Sequence, residues 1–171
     1  SLAEVVRDGA IDVQRAARYL SVIADAVHYA HEKSTLHRDL KPANILLDAD
    51  DQPHITDFGL ARQIQTDQRL TVTGAVLGTP SYMSPEQALG RSERIDRATD
   101  VYSLGATLYH LLTGRPPLQG DSPLDTLRLV TSDRPTPPRR LNDQIPRDLE
   151  NVCLKCLEKE PASRYKTARA L

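Results

Sequence analysis

The stretch that most constrains this chain is His37-Arg38-Asp39-Leu40-Lys41-Pro42-Ala43-Asn44, with Asp57-Phe58-Gly59 following thirteen residues after Asn44. Two short apolar runs lie between them, Ile45-Leu46-Leu47 and His54-Ile55-Thr56. They flank the turn-rich segment Asp48-Ala49-Asp50-Asp51-Gln52-Pro53. That pattern predicts a β-hairpin. A hairpin sets Asn44 at the start of one strand and Asp57 at the end of the other, so both reach one edge. Their oxygens are hard ligands of the kind magnesium prefers. Asp39 can accept a proton from a hydroxyl. Lys41, two residues on, can offset negative charge on a transferred group. Phosphoryl transfer demands positioning and charge neutralisation more than covalent chemistry, and these groups suit that demand.

The remaining chain reads as mainly helical. Val13, Ala16, Ala17, Leu20, Ile23, Ala24 and Val27 form an apolar stripe at helical period. Asp12 suits its N-cap and Lys33 its far end. His28 and His31 lie on this helix three residues apart. With no acidic partner implied nearby, packing or surface roles suit them better than metal binding. A second helix, opened by Asp100, runs through Val101–Leu112 and stops at Gly114. It is apolar on most sides, as a core helix is. Asp100 suits a plain N-cap there. Cys153 and Cys156 form a CxxC, but Leu149, Val152, Cys153, Cys156 and Leu157 share one helical face. No second CxxC or spaced His pair completes a tetrahedral site. Two core thiols are expected, kept reduced as in a cytosol. Arg134-Pro135-Thr136-Pro137-Pro138-Arg139 reads as a stiff loop between helices.

The chain has 171 residues and 39% hydrophobic content, enough for a real core. Its 22 basic and 23 acidic residues leave a net charge of −1, with no basic patch to suggest nucleic acid. No apolar run is long enough to span a membrane, so no membrane contact is expected from this segment and the cytoplasm is the expected location. The chain begins at Ser1 without an initiator Met and reads as a piece of a larger protein, which is free to be membrane-tethered elsewhere. Residues 60–86 show no sustained period and are rich in Thr, Gly and Gln. So long an irregular stretch is usually functional or disordered.

These motifs resemble the large, C-terminal lobe of a protein kinase, most closely the eukaryotic-like serine/threonine kinases of bacteria. The resemblance runs from about residue 1 to residue 169. It implies a mainly α fold with a small β-hairpin, a single unit over 1–171, and an activation segment over 57–86. It implies a proton acceptor at Asp39 with Lys41 beside it, metal ligands at Asn44 and Asp57, and ATP with Mg2+, or Mn2+ as an alternative. Gly78-Thr79-Pro80 matches the substrate-pocket motif, with Thr79 contacting the catalytic Asp and Lys. Ser84-Pro85-Glu86 stands where the family commonly has Ala-Pro-Glu. Pro161-Ala162-Ser163-Arg164-Tyr165 matches the last family motif, so Glu86 is expected to pair with Arg164. Asp100 is expected to bond the backbone of the catalytic loop, with His37 and Phe58 as supports. Thr71 and Thr73 are candidates for regulatory phosphorylation, with Arg38 as the phosphate's partner.

The resemblance also implies protein substrates with Ser or Thr hydroxyls. It implies a small lobe in cis, because the chain contains no G-x-G-x-x-G and no V-A-I-K-like strand. Without that lobe the chain alone is expected to be inactive. A scaffolding pseudokinase or other protein-binding module is the alternative. Intact Asp39, Asn44 and Asp57 weigh against it.

Overall fold

A computed structural model describes residues 1–58 and 80–171. The chain is mostly helical, with one small antiparallel sheet among the described residues. A short helix, α1 (Leu2–Val5), precedes the long α2 (Val13–Glu32). After the hairpin come α3 (Pro85–Ala88), α4 (Arg97–Thr113), α5 (Pro123–Ser132) and α6 (Arg147–Cys156).

The stripe on α2 does what its period implies. Ala16, Tyr19, Leu20, Ile23, Ala24, Val27 and His31 are buried, and the Asp12 carboxylate caps the start by accepting from the Arg15 amide at 2.9 Å. At 20 residues the helix is about 30 Å long, enough to underlie both the hairpin and the centre of the core. The α4 helix is buried on nearly all sides, from Thr99 to Leu112 except His110. Its N-cap is Asp96, whose side chain accepts from the Ala98 amide at 2.8 Å. Asp100 therefore lies inside the first turns and is not the cap. Asp100 has no solvent exposure and serves a different purpose, described below.

Two glycines set close approaches. Gly114 ends α4 in the left-handed region, at φ 74°, and a Cβ there would stand 2.8 Å from the Ala10 backbone nitrogen. The Ile11 amide bonds the Leu111 carbonyl at 2.9 Å alongside. Gly105 lets α6 press onto α4, since a Cβ would meet the Cys156 Cβ at 2.4 Å. Both cysteines are free thiols in this contact, and Cys153 Sγ donates to the Gly105 carbonyl. Burial pushes the Cys153 thiol well up and that of Cys156 to about 12. They are inert packing groups at neutral pH.

The hairpin pairs β1 (Ile45–Leu47) with β2 (Pro53–Ile55), Ile45 opposite Ile55 and Leu47 opposite Pro53. Its second strand begins one residue earlier than the apolar pattern suggests. Pro53 has no amide to donate, and it occupies the first strand position, where proline is tolerated. The ladder still reaches Thr56, whose amide donates to the Asn44 carbonyl at 2.9 Å. At the tip, Asp48 Oδ1 accepts from the Asp50 and Gln52 amides, each at 2.9 Å. Asp51 then ties the tip to α2 through Arg15, Arg18 and Tyr19. Those three donors hold its carboxyl down, to about 2.

Candidate active site

The site grows from the His37–Asn44 loop, which lies between α2 and β1. Arg38 takes a left-handed backbone, at φ 68°, as does Asp57 at φ 63°. Such conformations cost a non-glycine residue energy and persist only where neighbours enforce them. At Arg38 the enforcement is visible. Asp100 Oδ1 accepts the Arg38 amide at 2.8 Å, and Oδ2 accepts the His37 amide at 2.9 Å. Oδ2 also receives His31 Nε2 at 2.7 Å, and both side chains are fully buried. His31 thus has an acidic partner after all, 69 residues further along. The packing role expected of His31 holds, but its partner could not be read, because nothing local marks a contact of that separation.

His37 locks the loop to the hairpin. Its Nδ1 accepts the Asp39 amide at 3.3 Å, so the proton sits on Nε2, which donates to the Thr56 carbonyl at 2.9 Å. The Phe58 ring packs edge-on against it, with centroids 4.8 Å apart. Asp39 and Asn44 are joined directly, and Asp57 follows Thr56, which is bonded to both His37 and Asn44. Asn44 Nδ2 donates to the Asp39 carbonyl at 2.8 Å and to Asp39 Oδ2 at 3.1 Å. Lys41 Nζ donates to the same Oδ2 at 2.7 Å. The Asn44 carbonyl holds Thr56 through both amide and hydroxyl, which fixes Asp57 next door. Asp39 keeps 47% of its side chain exposed, so a substrate can reach it.

The donor set fits a hard cation. Among the described residues no three His, Cys, Asp or Glu side chains are grouped to hold a metal. With its amide nitrogen committed to Asp39, Asn44 has its oxygen left for a cation, and Asp57 is exposed beside it. An Asn and an Asp suit magnesium, which keeps several waters and takes further ligands from substrate phosphates.

Below the site, Glu86 and Arg164 meet in a two-pronged pair at 2.8 and 2.9 Å, each 3% exposed. Arg164 also donates to the carbonyls of Ala98, Glu158 and Lys159, so all five of its N–H groups are used. Thr99 Oγ1 donates to Glu86 at 2.8 Å. Burial alone would raise the Glu86 carboxyl, but Arg164 and Thr99 outweigh it and hold it below the usual range.

A family description, the protein kinase domain, matches residues 1–171. The chain belongs to the protein kinase family. The serine/threonine-protein kinase PknB of Mycobacterium leprae is 42% identical over 169 residues, which cover 98% of this chain and 27% of that protein. PknB of Mycolicibacterium smegmatis is 41% identical over 170 residues, again 98% and 27%. A probable serine/threonine-protein kinase of Clostridium acetobutylicum is 37% identical over 167 residues, 98% and 25%. The kinase chain thus spans about a quarter of the length of these relatives.

Thr71, Thr73 and Thr79 lie outside the described residues, as does Gly59. Two contacts of this kinase site escaped the sequence reading. One is His31 on Asp100. The other is Gln87, whose Nε2 donates to the Arg38 carbonyl at 2.6 Å. The capping pattern Ser84-x-x-Gln87 was there to be read, but not its long-range partner. No described helix is long and apolar enough to cross a membrane.

Proposed function

We propose that this chain is the large lobe of a serine/threonine protein kinase that moves the γ-phosphoryl group of ATP to Ser or Thr hydroxyls of proteins. The observation that carries the proposal is the convergence of Lys41 and Asn44 on one oxygen of an exposed Asp39. Relatives named as serine/threonine-protein kinases support the choice of acceptor. Asp39 takes the proton of the attacking hydroxyl. Lys41 steadies the Asp39 carboxylate and faces charge developing on the transferred group. Asn44 and Asp57 would hold magnesium, which when bound brings positive charge to the phosphate oxygens. Thr79 shapes the substrate pocket. Thr71 and Thr73 are the phosphorylation candidates, with Arg38 as the phosphate's partner.

The chain contains no glycine-rich phosphate loop and no V-A-I-K-like lysine strand. Transfer therefore needs a small lobe acting together with residues 1–171, whose activation segment covers 57–86. Without it, half the positioning groups are missing. The test is Asp39→Asn in the full-length protein. Turnover should fall on the order of 10²–10⁴-fold, while ATP affinity by calorimetry stays within about threefold, since the side chain's shape is kept. Near-normal turnover would refute the assignment of Asp39.

A further inference from the structure

The sequence Ser84-Pro85-Glu86-Gln87 builds a short helical turn with a capping box. Gln87 Oε1 accepts from the Ser84 amide at 3.0 Å and from its hydroxyl at 3.2 Å. With the oxygen so engaged, the amide nitrogen must face the other way, and it donates to the Arg38 carbonyl at 2.6 Å. Arg38 is the left-handed residue just before Asp39. Its amide is held by Asp100, so Gln87 and Asp100 grip the two sides of one strained residue.

These contacts close a ring. Asp100 holds the Arg38 amide, and its chain neighbour Thr99 holds Glu86. Gln87, the neighbour of Glu86, returns to the Arg38 carbonyl. Glu86 itself is anchored by Arg164, so the turn carrying Gln87 is fixed from beneath. Every link is short, and three separate segments share in it. A residue whose two flanking peptide groups are both gripped cannot relax toward an ordinary φ without breaking a bond, so the direction in which Asp39 leaves the loop is set.

We infer that Gln87 is a positioning residue for Asp39, acting through the Arg38 carbonyl to hold the turn that presents the proton acceptor. The role rests on the phosphotransfer reading of Asp39. Gln87→Glu keeps the acceptor toward Ser84 but sets an oxygen, usually charged, against the Arg38 carbonyl. Gln87→Leu removes the bond without adding charge.

Two measurements separate this role from general support. Amide hydrogen exchange on the 171-residue chain, wild type and both variants, reads the clamp without any catalysis. Exchange at residues 37–39 should speed up on the order of tenfold in Gln87→Leu, and more in Gln87→Glu, with the rest of the core unchanged. In the full-length protein, kcat should fall on the order of tenfold in Gln87→Leu while KM for peptide substrate holds. Exchange within twofold of wild type in both variants would overturn the inference, and so would a loss confined to peptide KM. If the wild-type full-length protein transferred no phosphate, the kinase proposal would fall, and the exchange result would still decide whether Gln87 clamps Arg38.

Discussion

Removing either partner of the Glu86–Arg164 pair should be among the most damaging single changes in this chain. The two groups are each 3% exposed and joined by two bonds of 2.8 and 2.9 Å. Breaking a buried pair from one side leaves an uncompensated charge, at about 3–5 kcal/mol. The two sides are unequal. After Glu86→Ala, Arg164 still donates to three backbone carbonyls and lies over the Tyr102 ring at 5.0 Å. After Arg164→Ala, Glu86 keeps only the Thr99 hydroxyl among its described side-chain partners, and three carbonyls lose a donor. Arg164→Ala should therefore stand at the upper end of that range and Glu86→Ala at the lower. For a chain of 171 residues, about 2–4 °C per kcal/mol converts these to Tm losses of roughly 6–20 °C. Denaturant unfolding of both single variants and the double variant gives the coupling. The double variant should cost at least about 2 kcal/mol less than the sum. Additivity within about 0.5 kcal/mol would refute the reasoning, because it would mean that neither charge depends on the other.

Other tests read other parts of the fold. Asp51 should titrate near pH 2 by carboxyl NMR, and Arg15→Ala should move the midpoint back toward 3.8. A midpoint unchanged by that substitution would remove Arg15 as the cause. The Tyr82 hydroxyl and His110 Nδ1 share a hydrogen bond of 2.6 Å, and burial lowers the imidazole from its ordinary value of 6.5. The unfolded chain then binds more protons just under pH 6.5, so burying His110 in its neutral form favours the fold above that value, and this contribution is lost as pH falls through the folded pKa. An NMR midpoint at or above 6.5 for His110 would contradict this. Gly105→Ala would force a methyl to within 2.4 Å of the Cys156 Cβ. It should cost about 1–3 kcal/mol by denaturant unfolding as α4 and α6 move apart, and a neutral result would show that the interface has room to give.

What the sequence revealed depended on how local the signal was. The stripe of α2 and the hairpin around Asp48–Pro53 come from periodicity and turn chemistry, which neighbouring residues carry in full. The placing of Asn44 and Thr56, and so of Asp57's backbone, at one edge follows from the hairpin, because a two-stranded pairing fixes which ends meet. Of the contacts that hold the site in place, Asp100 on the loop backbone and Glu86 on Arg164 followed from the motifs, but others were not legible. His31 on Asp100, Gln87 on Arg38 and Arg15 on Asp51 join residues 69, 49 and 36 apart. Each uses a side chain that reads as an ordinary surface or capping residue in its own neighbourhood. At Asp100 the bond to the loop backbone implied by the resemblance is present, and the plain N-cap reading is the one that fails. Asp96 and Asp100 are equivalent to a local rule, and only the packing of α4 against the catalytic loop distinguishes them.

The tether of Asp51 to α2 also limits where this chain can be altered. Hairpin tips are ordinarily the places where a protein absorbs inserted residues, tags or fused domains. Here the tip is fastened at Asp48 by its own turn and at Asp51 by two arginines and a tyrosine. Only two three-residue strands separate it from Asn44 and Thr56. Lengthening the tip would force a choice between releasing α2 and shifting the strand register, and a shifted register would carry Asp57 away from Asn44. The loop that looks most open to insertion from its acidic, turn-rich sequence is a poor place for one.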